Sequence, residues 1–293
     1  MQLRATVAAV SGALALSALA LPAAHAADGG PSYRADVVKA VAQHTPGKAG
    51  FAVRSEPIGD LDVSFSDFKI AKAVKVGTTN KVSATVTYTL THGTDVDVDS
   101  DAFVTIPLIY RGSVDNMENL QGGEYPATCV EKSATTASCK GSVQINPRES
   151  DPEFKLYNSQ AGTWHGAAVA LDDEKSSVQF DLATTLLQRN SQLTVNAAPE
   201  PVKKGKTLTV TGKLSRANWE DHKYHGYTGQ AVKLQFRKKG SSTYTTLKTV
   251  KTDSTGNLKT TVKASADGYY RYSFAGTSTT PAISAAGDFV DVK

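Results

Sequence analysis

The chain has no G-x-S-x-G elbow, no Walker loop and no H-E-x-x-H motif. The usual signatures of α/β hydrolases, P-loop NTPases and zinc proteases are therefore missing. Cysteine is scarce: Cys129 and Cys139 are the only two. A structural zinc site wants four ligands, and no further cysteine is there to supply them. In an oxidising compartment the even count reads as one disulfide closing a short loop. Long apolar runs are also few. The run at residues 13–21 is too short to cross a bilayer. With Arg4 before it and Ala24-His25-Ala26 after it, the run has the charged region, apolar core and A-x-A site of a secretory signal. Residues 1–26 are therefore expected to be cleaved, leaving a secreted protein without membrane insertion.

Charge is present but unevenly placed. Residues 27–190 carry 15 Lys+Arg against 21 Asp+Glu, a net of −6, and residues 191–293 carry 16 against 7, a net of +9. An acidic half is joined to a basic one. Such asymmetry bears on partners and solubility rather than on fold.

The basic half reads as strands. Apolar and polar residues alternate at Leu208, Val210 and Leu214, at Val232, Leu234 and Phe236, at Leu258 and Val262, and at Tyr270, Tyr272 and Phe274. Successive side chains of a strand point to opposite faces, so each run has one face to bury. Gly205, Gly229, Gly240, Gly256 and Gly268 supply turn signals between them. Gly268-Tyr269-Tyr270-Arg271-Tyr272 has the spacing of a tyrosine corner, with Tyr270 as the residue whose hydroxyl returns to upstream backbone. The module resembles the C-terminal immunoglobulin-like domain of actinobacterial exported proteins of unknown function. The matching stretches are Leu193-Thr194-Val195-Asn196 and residues 199–206, 208–218, 233–239 and 268–276. The resemblance covers about a third of the chain. It implies an Ig-like sandwich and export, and brings no catalytic residues.

Upstream, residues 27–55 form an N-terminal segment, partly disordered or a short helix at 34–44, where Val37, Val38 and Val41 share a face. Residues 56–188 read as a second, acidic sandwich. Val82, Ala84, Val86, Tyr88 and Leu90 alternate, as do Val104, Ile106, Leu108 and Tyr110. The Cys129…Cys139…Gly162-Thr163-Trp164 pattern resembles that of other actinobacterial exported β domains, with Trp164 as a core anchor. The linker to the basic sandwich at 191–293 is short, which predicts a semi-rigid arrangement with limited bending. The expected fold class is all-β: two tandem immunoglobulin-like β-sandwich domains after a cleaved signal peptide.

Three stretches are candidates for chemistry. Asp95, Asp97, Asp99 and Asp101 alternate with other residues and would share one face of a strand. Oxygen ligands in that number suit Ca²⁺. The EF-hand pattern fails, and a solvated acidic loop is the structural alternative. Asp172, Asp173 and Glu174 would join such a site only if the fold brings that turn close. The second stretch holds Trp219, His222, Tyr224, His225 and Tyr227. Its aromatic rings would stack on sugar faces, or its H-x-x-H pair would hold a metal; otherwise Trp219 caps the sandwich. The third is a polyanion-binding set, Lys203, Lys204, Lys206, Lys233, Arg237, Lys238 and Lys239, continued by Lys259 and Lys263. These either protect strand edges or adhere to an anionic polymer.

The expected function is a non-catalytic secreted binding or structural module associating with the cell surface or an anionic polysaccharide. A Ca²⁺-binding extracellular module is the alternative, and a carbohydrate-active or hydrolytic enzyme the second. No obligatory cofactor, no nucleic-acid partner and a monomeric state are expected.

Overall fold

In the first half, Ala84, Val86, Tyr88 and Leu90 turn to one side of a single strand and wall the first core. The structure, a computed structural model, describes residues 33–45 and 59–293. The expected signal peptide lies outside the described residues. One sheet holds β1 (Gly59–Asp60), β3 (Ala73–Val76), β5 (Val104–Ser113), β6 (Asn116–Gly122), β9 (Gly162–Leu171) and β10 (Lys175–Arg189). Its order is β1-β10-β9-β5-β6, with β3 parallel to the end of β10. The facing sheet is β2-β4-β8-β7, from β2 (Val63–Ile70), β4 (Val82–His92), β7 (Thr128–Ser133) and β8 (Thr136–Ile145). Phe65, Phe68, Val86, Tyr88, Val143 and Trp164 pack between the two sheets. Cys129 and Cys139 are direct partners in the β7–β8 register and form the disulfide.

Strand β5 departs from the simple expectation of one buried face. Val104, Ile106, Leu108 and Tyr110 face away from the inter-sheet core, while Ile109 and Thr105, whose hydroxyl lies 2.9 Å from that of Tyr88, turn into it. The outward row stays dry because helix α1 (Arg34–His44) lies over it. Val37, Ala40 and Val41 of α1 pack with Ile106, Leu108, Ala167 and Val169. A strand covered on both faces reads as nearly continuous apolar sequence, and β5 and β9 do.

The second sandwich follows after Asn190 alone. One sheet is built on β13 (Thr207–Asn218), with β11 (Ser191–Leu193) and β12 (Asn196–Ala198) along one edge and β14 (Lys223–Gly226) and β17 (Asn257–Lys263) also paired to it. The other is β16-β15-β18-β19, from β15 (Ala231–Lys238), β16 (Thr245–Lys251), β18 (Gly268–Phe274) and β19 (Ile283–Ser284), with β20 (Asp288–Val290) on β18. Leu208, Val210, Leu214, Val232, Leu234, Leu258, Tyr270, Tyr272 and Phe274 are buried together, on the parities the alternation predicts. The hydroxyl expected of Tyr270 is instead that of Tyr272, which donates to the Val210 carbonyl oxygen at 3.0 Å and ties the two sheets across the core. Burial pushes the Tyr272 phenol up to about 12. The described chain is thus all-β apart from α1 and one short 3-10 turn, with two Ig-like sandwiches in tandem.

Candidate functional site

Trp219 stands one residue past the end of β13 and is fully buried. Its indole belongs to the core of the first sandwich, although its chain position belongs to the second. Nε1–H donates to the Val76 carbonyl oxygen at 3.3 Å, and the Trp219 backbone N–H donates to Asn158 Oδ1 at 3.0 Å. The same Val76 oxygen accepts the Asn190 N–H at 2.8 Å. Around this plug, the Arg189 guanidinium donates Nε–H to the Ala217 carbonyl at 2.6 Å, and Gln188 donates to the Thr277 carbonyl at 2.8 Å. Burial, and then the nearby Arg216 cation, lower the Arg189 pKa to about 10, still charged at neutral pH. The short linker is therefore a shared core rather than a bending point. The sugar-stacking reading of Trp219 does not hold, because no face of its ring is open.

The rest of that stretch is also spent on structure. The His222 ring Nε2 lies 2.9 Å from the Pro147 carbonyl oxygen, across the seam. His225 pairs with Asp221 at 2.5 Å on the solvent side. The two imidazoles have different partners and do not form a metal pair. Tyr224 is half-buried, and Asn190 Nδ2 donates to its hydroxyl at 3.4 Å. Tyr227 lies edge-on to Phe274, with the Arg216 guanidinium 4.0 Å from its ring centroid.

The four aspartates do not sit on a strand. Residues 94–102 form a chain of turns in which Val98 is buried and Val96 packs on the core, so the carboxylates splay outward. Asp97 Oδ1 accepts the Asp99 backbone N–H at 3.0 Å. Only Asp95 and Asp97 of the four line a cleft, which has a volume of about 400 Å³. Asp60, Asp62, Asp172, Asp173 and Glu174 line it too, so the fold does bring the distant turn close. Asp172 closes that turn by accepting the Glu174 N–H at 2.8 Å. Among the described residues, no three acids, histidines or cysteines come together as metal ligands. The expected four-aspartate calcium site is thus not assembled. The cleft lies at the start of β10, and the seam lies at its other end.

The lysines are gathered more tightly than the sequence suggests. Lys204 N–H donates to the Lys293 carbonyl at 2.8 Å, Ala264 N–H to Lys206, and Lys239 N–H to Asp267. These backbone bonds bring residues 203–206, 238–239, 263–267 and the last residue, Lys293, to the end of the sandwich away from the seam. Lys203, Lys204, Lys206, Lys238, Lys239 and Lys263 are exposed there. The counter-charges are few: Asp267 pairs with Lys239 at 3.6 Å and Asp291 with Lys293 at 3.9 Å. An open groove of about 430 Å³ adjoins this end, lined by Thr207, Leu247, Lys248 and Lys263. Lys233 and Lys259 lie farther along their strands, opposite Ser273 and Thr211.

Arg237 does not belong with the free lysines. Nη1–H donates to the Ser241 carbonyl oxygen at 2.6 Å, and the guanidinium lies 4.1 Å from the Tyr269 ring centroid and 5.3 Å from that of Tyr244. Arg271 lies 3.7 Å from the Tyr244 centroid. Tyr269 in turn packs against Phe289 at 5.1 Å. Sequence reasoning missed Tyr244, Tyr269, Arg271 and Phe289 as a group. The Tyr269/Arg271 parity is visible in β18, but Tyr244 and Phe289 come from separate segments and join it only in three dimensions.

No protein-family model and no curated protein matches the chain. Solved structures do resemble it at low identity. A chimeric titin Z1Z2 tandem is 13% identical over 79% of this chain and 99% of its own, with a TM-score of 0.27. The fibronectin(III)-like modules of Clostridium thermocellum CbhA are 14% identical over 78% and 92%, TM-score 0.27. The Escherichia coli adhesin FdeC is 12% identical over 80% and 66%, TM-score 0.32.

Proposed function

We propose that the chain is an exported, non-catalytic binding module that attaches to anionic extracellular polymers through the lysine-rich end of its second sandwich. The observation that carries this reading is the set of exposed lysines at 203, 204, 206, 238 and 263, held on one turn and two strand ends that backbone bonds draw together. Among the described residues, Lys203, Lys204, Lys206 and Lys238 make no ion pair. Their charge faces solvent and adds up at one place, as capture of a polyanion requires. The shared core at the seam supports a rigid spacer, which would hold the acidic sandwich away from the attached surface. Export rests on the leader read in residues 1–26, and the Cys129–Cys139 disulfide fits an oxidising compartment.

The test is co-sedimentation of the full chain with isolated cell walls across a salt series. The chain should pellet at low salt and be released as the screening length falls below about 8 Å. A triple Lys203→Glu, Lys204→Glu, Lys206→Glu variant should stay in the supernatant, and Asp95→Asn with Asp97→Asn should pellet like the parent. Absence of pelleting at low salt, or pelleting unchanged by the triple variant, would overturn the reading.

A further inference from the structure

The outer face of the second sheet in the basic sandwich carries a continuous set of rings and guanidinium groups. Register places Arg237 of β15, Tyr269 of β18 and Phe289 of β20 side by side in one row across three strands. In the next row along, Arg271 lies beside Gln235 and donates Nε–H to its Oε1 at 2.9 Å. Tyr244, from the segment between β15 and β16, lies across both rows and stacks on both arginines. Its hydroxyl reaches Gly287, where even one added carbon would sit 2.3 Å from that oxygen. Gly287 is thus part of what lets the ring lie flat across the sheet. Lys239 stands over Phe289 at 5.5 Å. All three rings are half-buried and none is enclosed.

A solvent-facing arginine on a sheet commonly finds a cross-strand acid. Here, among the described residues, neither Arg237 nor Arg271 pairs with one. Each guanidinium has five N–H donors. The bonds to Ser241 and Gln235 account for one donor on each. Stacking fixes the planes, so the ordering cost is met before any ligand arrives. Two pre-set, unpaired guanidinium forks beside aromatic faces match a ligand that alternates carboxylates with flat apolar faces.

We infer that this face binds an acidic polysaccharide of uronic-acid type, with Tyr244, Tyr269 and Phe289 packing against pyranose faces and Arg237 and Arg271 taking the carboxylates. The inference rests on the polymer attachment proposed above and narrows its ligand. Lysines at the end of the sandwich answer to charge density alone, so a polyphosphate satisfies them as well as a uronate does. The rings discriminate, because a polyphosphate has no sugar face to pack, while the guanidinium forks take carboxylate and phosphate alike.

The experiment measures binding of the full chain to polygalacturonate, to polyphosphate of similar length and to a neutral glucan by affinity electrophoresis. The parent should bind polygalacturonate with a component that survives physiological salt, and polyphosphate only at low salt. Tyr244→Ala and Arg271→Lys should each weaken polygalacturonate binding by roughly tenfold, the scale of one ring packed on a sugar face and of one charge-assisted hydrogen bond respectively. Tyr244→Ala should leave polyphosphate binding within about twofold, since a ring face adds nothing to a polyphosphate. Arg271→Lys keeps the charge and loses only the planar fork, so it remains informative if Tyr244→Ala lowers the melting temperature. If both variants bind polygalacturonate like the parent, or Tyr244→Ala loses both polymers equally, this assignment is wrong while attachment through the lysines stands. If the parent binds neither polymer at low salt, the attachment reading falls, and this one with it.

Discussion

Trp219→Ala should uncouple the two sandwiches. The indole is fully buried among the side chains of the first core, yet it is tethered to the end of β13 in the second. Removing a buried Trp side chain from a packed core costs roughly 3–5 kcal/mol through lost burial and the cavity left behind. The lost hydrogen bond adds little, because the Val76 oxygen retains the Asn190 N–H. For a chain of this size that energy lowers the midpoint of the affected unit by roughly 10 °C. The assay is thermal and urea unfolding followed by tryptophan fluorescence and by circular dichroism. The two tryptophans, Trp164 and Trp219, both lie in the first core. Fluorescence therefore follows that core alone, while circular dichroism follows both sandwiches. The parent should give coincident transitions. The variant should give a separate, earlier fluorescence transition from the remaining Trp164, with the later part of the dichroism change near the parent midpoint. Trp219→Phe, which keeps most of the apolar volume, should lose far less. A single coincident transition in Trp219→Ala, within a degree of the parent, would show that the seam does not depend on this plug. Loss confined to the second sandwich would refute the placement of the indole in the first.

Other outcomes follow from the same contacts. Replacing Cys129 and Cys139 together by Ala should destabilise the first sandwich by about 2–3 kcal/mol, the chain-entropy value for so short a loop, read from the shift in urea midpoint at constant slope. Tyr272→Phe removes the bond to the Val210 carbonyl and should cost about 1 kcal/mol in the second sandwich, measured by the same titration. The buried Tyr272 phenol titrates higher folded than unfolded, so its stability contribution is intact below about pH 10. It is lost as pH rises towards about 12. The parent should therefore lose stability across that window more steeply than Tyr272→Phe, measured by urea midpoints at fixed ionic strength. Val41→Glu should place a charge between α1 and the outward face of β5, lift the helix and expose Ile106 and Leu108. The expected readout is faster amide exchange in β5 and β9 and association at high protein concentration; unchanged exchange would mean that α1 is not needed to cover that face.

Much of the architecture was legible from local pattern. A period of two marks a strand with one wet face, and Leu208, Val210, Val232, Leu234, Tyr270 and Tyr272 show it because both sheets of the second sandwich have a solvent side. The shared face of Val37, Val38 and Val41 allowed a helix at 34–44 without deciding it against disorder, and the cysteine count gave the disulfide. β5 shows the limit. Alternation identifies two faces of a strand but not which one meets the facing sheet, and that depended on whether a helix covers the other. Tyr270 and Tyr272 are a second case: both are buried, and only the position of Val210 across the core decides which hydroxyl finds a carbonyl.

The candidate sites divide in the same way. Residue type and charge balance are properties of the chain, so an acidic half, a basic half and an aromatic stretch could be read directly. Whether those residues act together is a matter of distance. Asp95 and Asp97 join Asp172 and Asp173 because two turns meet at one end of a sheet, while Asp99 and Asp101 face elsewhere. Trp219 looks like a ligand platform in sequence and is a buried plug in space, because the neighbouring sandwich supplies the apolar surface it packs on. Tyr244, Tyr269 and Phe289 are separated by chain segments that carry no shared pattern. Strand register makes Tyr269 and Phe289 neighbours, since hydrogen-bonded strands lie about 4.8 Å apart whatever their distance along the sequence, and the segment before β16 lays Tyr244 over the arginines beside them.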